Sequence, residues 1–191
     1  MSERAAGWLL RQLHYQVVDP KLFEQALTHR SAGRANNERL EFLGDAILNL
    51  IVAEFLYSRY QQADEGSLSR LRAAVVSGAS LARIATTLEL GEVLELGAGE
   101  LKTGGFRRES ILADALEALC GALYLEAGFA TVREVLLRVL GPALAALEPA
   151  AAGDVDEQKD AKTRLQAAGT GLSRRRAEQV AAQALLLQLP A

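Results

Sequence analysis

Five carboxylates in two short runs are the residues of this chain best placed to do chemistry. The first run is Asn37-Glu38-Arg39-Leu40-Glu41-Phe42-Leu43-Gly44-Asp45. On a helix at about 100° per residue, Glu38, Glu41 and Asp45 stand at i, i+3 and i+7 inside an arc of about 60°. The second run, Ile111 to Cys120, is apolar apart from Asp114 and Glu117, which share one face at i, i+3. Carboxylates this close repel one another, and partial burial adds a desolvation cost. A divalent cation held in common removes both penalties. Two plainer readings stand beside that one. Glu38 and Glu41 could form a solvated face, and Asp114 and Glu117 could pair internally with Arg70 or Arg72. With two histidines and one cysteine in 191 residues, an oxygen-rich site is the natural kind. It suits Mg²⁺ or Mn²⁺ better than zinc.

Helices must position these acids. Leu40, Leu43, Ile47, Leu50 and Ile51 form the expected core stripe of a central helix that starts at an Asn37 N-cap and runs to about Tyr60. Its dipole favours ionised Glu38 and Glu41. Upstream, residues of about 3–14 read as a first helix, and Asp19-Pro20 caps a second that ends near Thr28-His29-Arg30-Ser31. Downstream, Asp64-Glu65-Gly66-Ser67 opens a helix bearing Arg70 and Arg72, and Gly78 to Leu90 gives another. Glycines at 91, 97, 99, 104 and 105 predict a mobile loop with Lys102, Arg107 and Arg108 in it or just after it. The second acidic run lies on a helix from about Glu109 to Tyr124, and a last core helix spans about Thr131 to Leu147. No strand pattern is present, so the main domain is expected to be all-α.

Composition bounds the rest. Half the residues are hydrophobic and only 5% aromatic, a mix that suits closely packed helices. The formal net charge of -3 argues against a generally basic nucleic-acid binder. Bound metal would offset the acids, so this exclusion is weak. The single Cys120 precludes an internal disulfide and reads as a small core residue. No stretch has the unbroken apolar length of a membrane span, and a charged N-terminus lacks a secretory pattern, which implies a cytoplasmic protein. The glycine-rich stretch has no Walker spacing, which excludes a phosphate loop. His29 reads as a structural hydrogen-bonding residue. Phe42 points about 40° beyond Glu38, away from the core stripe, and suggests a partner surface.

The run Asn37 to Asp45 resembles the signature motif of ribonuclease III. Leu27-Thr28-His29-Arg30-Ser31, Asp64-Glu65-Gly66 and the stretch from Gly104 to Leu119 resemble the same family in matching order, over residues of about 5–150. The resemblance implies a helical endonuclease domain at 1–150 that forms a homodimer around double-stranded RNA. It implies Glu41, Asp114 and Glu117 as metal ligands, Asp45 and Glu117 as catalytic acids, Glu38 and Glu65 as auxiliary acids, and Phe42 as a residue inserted into the partner. Mg²⁺, with Mn²⁺ as a substitute, would be the cofactor, with no small-molecule cofactor and no membrane association. Two metal ions about 3.5–4 Å apart would serve the attacking water and the leaving 3′-oxygen. Products would carry 5′-phosphate and 3′-hydroxyl ends with short 3′ overhangs, from ribosomal-RNA precursors and structured messenger RNAs. A non-catalytic RNA-binding relative is the alternative, against which the complete acid set argues.

The tail departs from the family pattern. Residues 151–158 read as a linker. In 159–191, Lys159 to Gln166 resembles the first helix of a double-stranded-RNA-binding domain and Gly171 to Glu178 the start of its last. Too few residues lie between them for three strands, so an incomplete module is expected. Arg174, Arg175 and Arg176 open its last helix, where cations oppose the dipole, which favours a phosphate-contacting role. Lys102, Arg107 and Arg108 are the other expected RNA contacts.

Overall fold

The computed structural model describes residues 1–33 and 35–147, and all structural statements below concern these. The proposed linker, the incomplete module and Arg174 to Arg176 lie outside them. Met1–Leu147 forms one unit. Its helices are α1 (Glu3–Leu13), α2 (Pro20–Leu27), α3 (Glu38–Arg59), α4 (Glu65–Val76), α5 (Gly78–Thr87), α6 (Ala98–Lys102), α7 (Glu109–Val139) and α8 (Gly141–Ala145). No strand occurs among the described residues, which hold one isolated bridge between Thr28 and Glu95. The expected all-α class is what the chain adopts.

Local sequence sets the helix starts. Ser2, Asp19, Asp64 and Ser77 each accept a hydrogen bond from an otherwise unpaired amide in the first turn of the helix they precede. Asn37 does not act this way. It occupies the cap position of α3 without a side-chain cap bond, and Asn36 Oδ1 instead accepts from Glu38 N at 3.1 Å. The two helices expected within 109–147 are present, and the second gives way to α8 after Val139. They are separated inside α7 by a break at Gly128 with φ 76° and ψ 177°. That conformation lies in the left-handed half of the map, which glycine enters without steric cost.

The core is organised around α3 and α7. Leu48, Ile51 and Val52 of one and Leu116, Leu119 and Leu123 of the other are buried. Leu50, placed on the core stripe by its spacing, is instead 56% exposed. The buried face of α3 runs through Leu40, Gly44, Ile47, Leu48, Ile51 and Val52. Its centre lies more than about 100° around the helix from Leu50. Where the helices cross, Gly44 meets Gly121. A Cβ on Gly44 would lie 1.7 Å from Glu117 O, and one on Gly121 would lie 2.3 Å from Leu40 O. Only two residues without side chains allow this approach. By length and composition α7 is also long and apolar enough to cross a membrane, contrary to the sequence reading, but half of that stretch is buried in the core.

The segment expected to be a mobile loop is instead pinned. Glu95 exchanges backbone hydrogen bonds of 2.9 Å with Leu27 and His29, and Gly97 N donates to Ser31 Oγ at 2.9 Å. A Cβ on Gly91 would lie 2.1 Å from Phe106 O, and one on Gly97 would lie 2.2 Å from Ser31 O. These glycines serve close packing rather than motion.

Gly44→Ala drives a methyl group into backbone that no rotamer change can vacate. It is expected to cost about 3 kcal/mol, the upper end of overpacking penalties, and to lower Tm by about 6–12 °C in a thermal melt. Gly78→Ala, where a Cβ meets nothing within 4 Å, is the control and should leave Tm unchanged or slightly raised.

Candidate active site

The close crossing decides which acids meet. Glu41 on the first turn of α3 faces Asp114 and Glu117 on α7, and each offers a carboxylate oxygen within 4.8 Å of the others. The geometry of α3 explains why Glu41 joins them. Its direction falls between those of the buried Leu48 and Val52, whereas Glu38 and Asp45 lie about 40–60° further round. Glu41, Asp114 and Glu117 are half-buried, and Glu38 and Asp45 are exposed.

All five acids share one electrostatic neighbourhood. Burial first, and then the fields of Asp45, Asp114 and Glu41, push the Glu117 carboxyl up to about 7. Burial also raises Asp114, opposed by the positive fields of His29 and Arg30. Glu41 is raised by burial and by Asp114 and Glu38, with Arg30 acting in the opposite sense. Glu38 is held by Arg30 at 3.7 Å and by Asn36 Nδ2 at 3.2 Å. Asp45 Oδ1 accepts from Asn49 Nδ2 at 2.8 Å. An all-oxygen cluster of three half-buried carboxylates, each destabilised in its charged form, fits a hard divalent cation.

The internal pairing considered for the α7 acids is not found among the described residues. Arg70 donates to Ser67 Oγ at 2.9 Å, and Arg72 lines a separate cleft. Beside the cluster opens a cleft of about 400 Å³, lined by Glu41, Asp114, His29, Arg30, Asn37 and Arg108, among others. Arg108 pairs there with Glu100 at 2.9 Å, and Arg107 and Lys102 are exposed nearby in sequence. His29 Nδ1 accepts from Ser31 N at 3.2 Å, and the residue lines the acidic cleft.

Glu65 stands apart from the acids in the single chain. It bonds Ser69 Oγ at 2.8 Å and lines a second cleft with Leu50, Tyr57, Leu68 and Arg72. Phe42 is 81% exposed. Cys120 is buried, and burial raises its thiol far above the ordinary value, which keeps it protonated and inert.

The match to known proteins follows the same residues. The family model described as ribonuclease-III-like matches residues 19–144. The chain belongs to the ribonuclease III family. It is 56% identical to the ribonuclease 3 of Pseudomonas paraeruginosa over 158 residues, 83% of this chain and 67% of that protein. With the ribonuclease 3 of Bordetella pertussis it shares 53% identity over 166 residues, 87% of this chain and 63% of the other. The nuclease domain of ribonuclease III from Campylobacter jejuni superposes with TM-score 0.72 at 42% identity, covering 78% of this chain and all of that domain. A second structure of that domain, described for flexibility in a region involved in dimer formation, gives TM-score 0.69 at 46% identity over 71% of this chain and 95% of the domain. Family and fold make the chain an endoribonuclease.

Sequence reading missed the residues that make the cluster possible. Gly44 and Gly121 carry no chemistry, yet a glycine inside a helix costs about 1 kcal/mol and so signals a packing need. Arg30, the counter-charge to Glu38, Glu41 and Asp114, stood in the Leu27–Ser31 motif but was assigned no role from the sequence.

The raised Glu117 carboxyl makes stability depend on pH. The folded protein keeps this proton up to about 7, whereas an unfolded chain releases it near 4.5. The unfolded state therefore binds fewer protons in that window, and stability falls as pH rises through it. In metal-free buffer, Glu117→Gln should melt above the parent at pH 8, and the difference should shrink as pH falls and vanish below about 4.5. Adding Mg²⁺ should raise the parent's Tm at pH 8 and leave that of Glu117→Gln nearly unchanged.

Proposed function

We propose that this chain cuts double-stranded RNA in a reaction that depends on Mg²⁺, with Mn²⁺ as a working substitute. The observation that carries the reading is the Glu41–Asp114–Glu117 cluster at the α3–α7 crossing of a ribonuclease III fold. These three residues would hold the cation. When bound, it supplies charge neutralisation at the scissile phosphate and lowers the proton affinity of the attacking water.

The chain's own groups do the rest. Asp45 is exposed, and Asn49 steadies one of its oxygens, which leaves the carboxylate placed to accept a proton from water. Glu38 and its partner Arg30 border the cleft. Arg30 and Arg108 are positioned to pair with phosphates flanking the cut, and Lys102 and Arg107 extend that positive surface outside the acid cluster. Hydrolysis leaves 5′-phosphate and 3′-hydroxyl ends. Duplex RNA is recognised mainly by shape and by 2′-hydroxyl contacts, so sequence preference is expected to be weak. Ribosomal-RNA precursors and structured messenger RNAs in the cytoplasm are the proposed substrates.

A homodimer is part of the proposal. Phe42, Leu50 and Tyr57 are 81%, 56% and 75% exposed and lie within about 80° on the outer face of α3. An apolar stripe this open on a core helix calls for a partner. The cleft of about 420 Å³ beside it is lined by Leu50, Tyr57 and Leu68, and is suited to receive Phe42 of a second copy. Glu65 lines the same cleft, so its auxiliary role belongs to the assembled dimer. Two sites facing one duplex would then cut both strands and leave short 3′ overhangs.

A long RNA duplex incubated with the purified chain should be cut only when Mg²⁺ is present, and a matching single strand should remain intact. Glu117→Gln should retain its fold and dimerise while cleavage falls below detection; retained cleavage would remove Glu117 from the reaction. Duplex binding without cutting would favour a non-catalytic RNA-binding protein. Phe42→Ala should weaken the dimer by about 2 kcal/mol or more, roughly thirtyfold in Kd by sedimentation velocity.

A further inference from the structure

Asn37 is 2% exposed, and its Nδ2 is buried with no hydrogen-bond partner. A buried amide donor left unpaired costs about 1–3 kcal/mol, and such groups in folded proteins are rare. The helix start does not require it, because Asn36 supplies the cap bond to Glu38 N. Asn37 precedes Glu41 by four residues, one helical turn, and both line the acidic cleft. Its position there is fixed by its backbone, since Asn37 N donates to Thr28 O and Asn37 O accepts from Glu41 N, each at 2.9 Å.

The carboxylates of Glu41, Asp114 and Glu117 show the complementary deficit. None accepts a side-chain or backbone hydrogen bond among the described residues, although all three are half-buried. Carboxylates that ligate a cation are normally held in orientation by donors behind them. An unpaired donor therefore sits one turn from a ligand that lacks one.

We infer that Asn37 is a positioning residue whose Nδ2 holds the Glu41 carboxylate when a divalent cation is bound. The inference rests on the proposed cation site. It explains why a polar side chain occupies a buried position where an apolar one would pack without an unpaired donor. A Glu41 carboxylate that ligates the cation would accept from Asn37 Nδ2 in a charge-assisted hydrogen bond.

Asn37→Leu keeps the branched shape and removes the donor, and Asn37→Ala removes it with a smaller side chain. Binding of Mn²⁺ alone, followed at pH 7.5 by the paramagnetic resonance signal of the free ion, measures the effect without RNA or turnover. Either folded variant is expected to bind Mn²⁺ about tenfold more weakly than the parent, while its metal-free Tm stays within a few degrees. A purely structural role would lower the metal-free Tm and leave Mn²⁺ affinity unchanged in the folded protein; that result overturns the inference and leaves the cation site standing. A parent chain that binds no Mn²⁺ would overturn the cation site and this inference with it.

Discussion

The site exists because two helices touch backbone to backbone. Gly44 and Gly121 remove the side chains that would otherwise hold α3 and α7 apart, and the carbonyl oxygens of Glu117 and Leu40 occupy the space that Cβ atoms would fill. Shortening that separation brings Glu41 within reach of Asp114 and Glu117. A more ordinary crossing, with side chains interleaved, puts axes 8–10 Å apart. Carboxylates on such helices would face each other across a wider gap. The glycines thus work upstream of the chemistry. They set the distance at which the acids compete for protons and would share a cation.

That proximity carries a cost that the rest of the domain offsets. Glu117 is pushed up to about 7 because burial and three neighbouring acids oppose its charge. The surrounding core is broad, with Trp8, Phe23, Leu48, Ile51, Leu116 and Leu119 almost wholly buried, and can tolerate one strained cluster. The segment from Gly91 to Arg108 supports the cleft from the other side. The Thr28–Glu95 bridge and the Ser31–Gly97 contact anchor it to the end of α2, and Arg108 and Glu100 project from it into the cleft. Strain in the acids and firmness in their supports are two aspects of one arrangement.

Much of this was legible in the sequence. The acids at i, i+3 and i+7 and the apolar run around Asp114 and Glu117 pointed to a shared cation, and the capping residues Asp19 and Asp64 located the starts of α2 and α4. Other features depend on three-dimensional packing that spacing cannot express. Leu50 fitted an apolar repeat but faces outward, because the buried face of α3 centres on Gly44 and Ile51. Glycines at 91 and 97 read as flexibility and proved to be contact points, since both closeness and freedom select for a missing side chain. Asn37 read as a cap, and only the structure shows it buried with a donor unused. Glu65 shares the acidic character of the site but lies elsewhere on the single chain, a separation that no linear pattern reveals.

The most direct test of the central claim is to locate the cation. Crystals of the chain soaked in Mn²⁺ and measured at the manganese absorption edge should show an anomalous peak among Glu41, Asp114 and Glu117, with carboxylate oxygens about 2.0–2.2 Å away. A peak at those residues establishes that the α3–α7 crossing builds a metal site. No peak there, or one confined to other acids, would contradict the account.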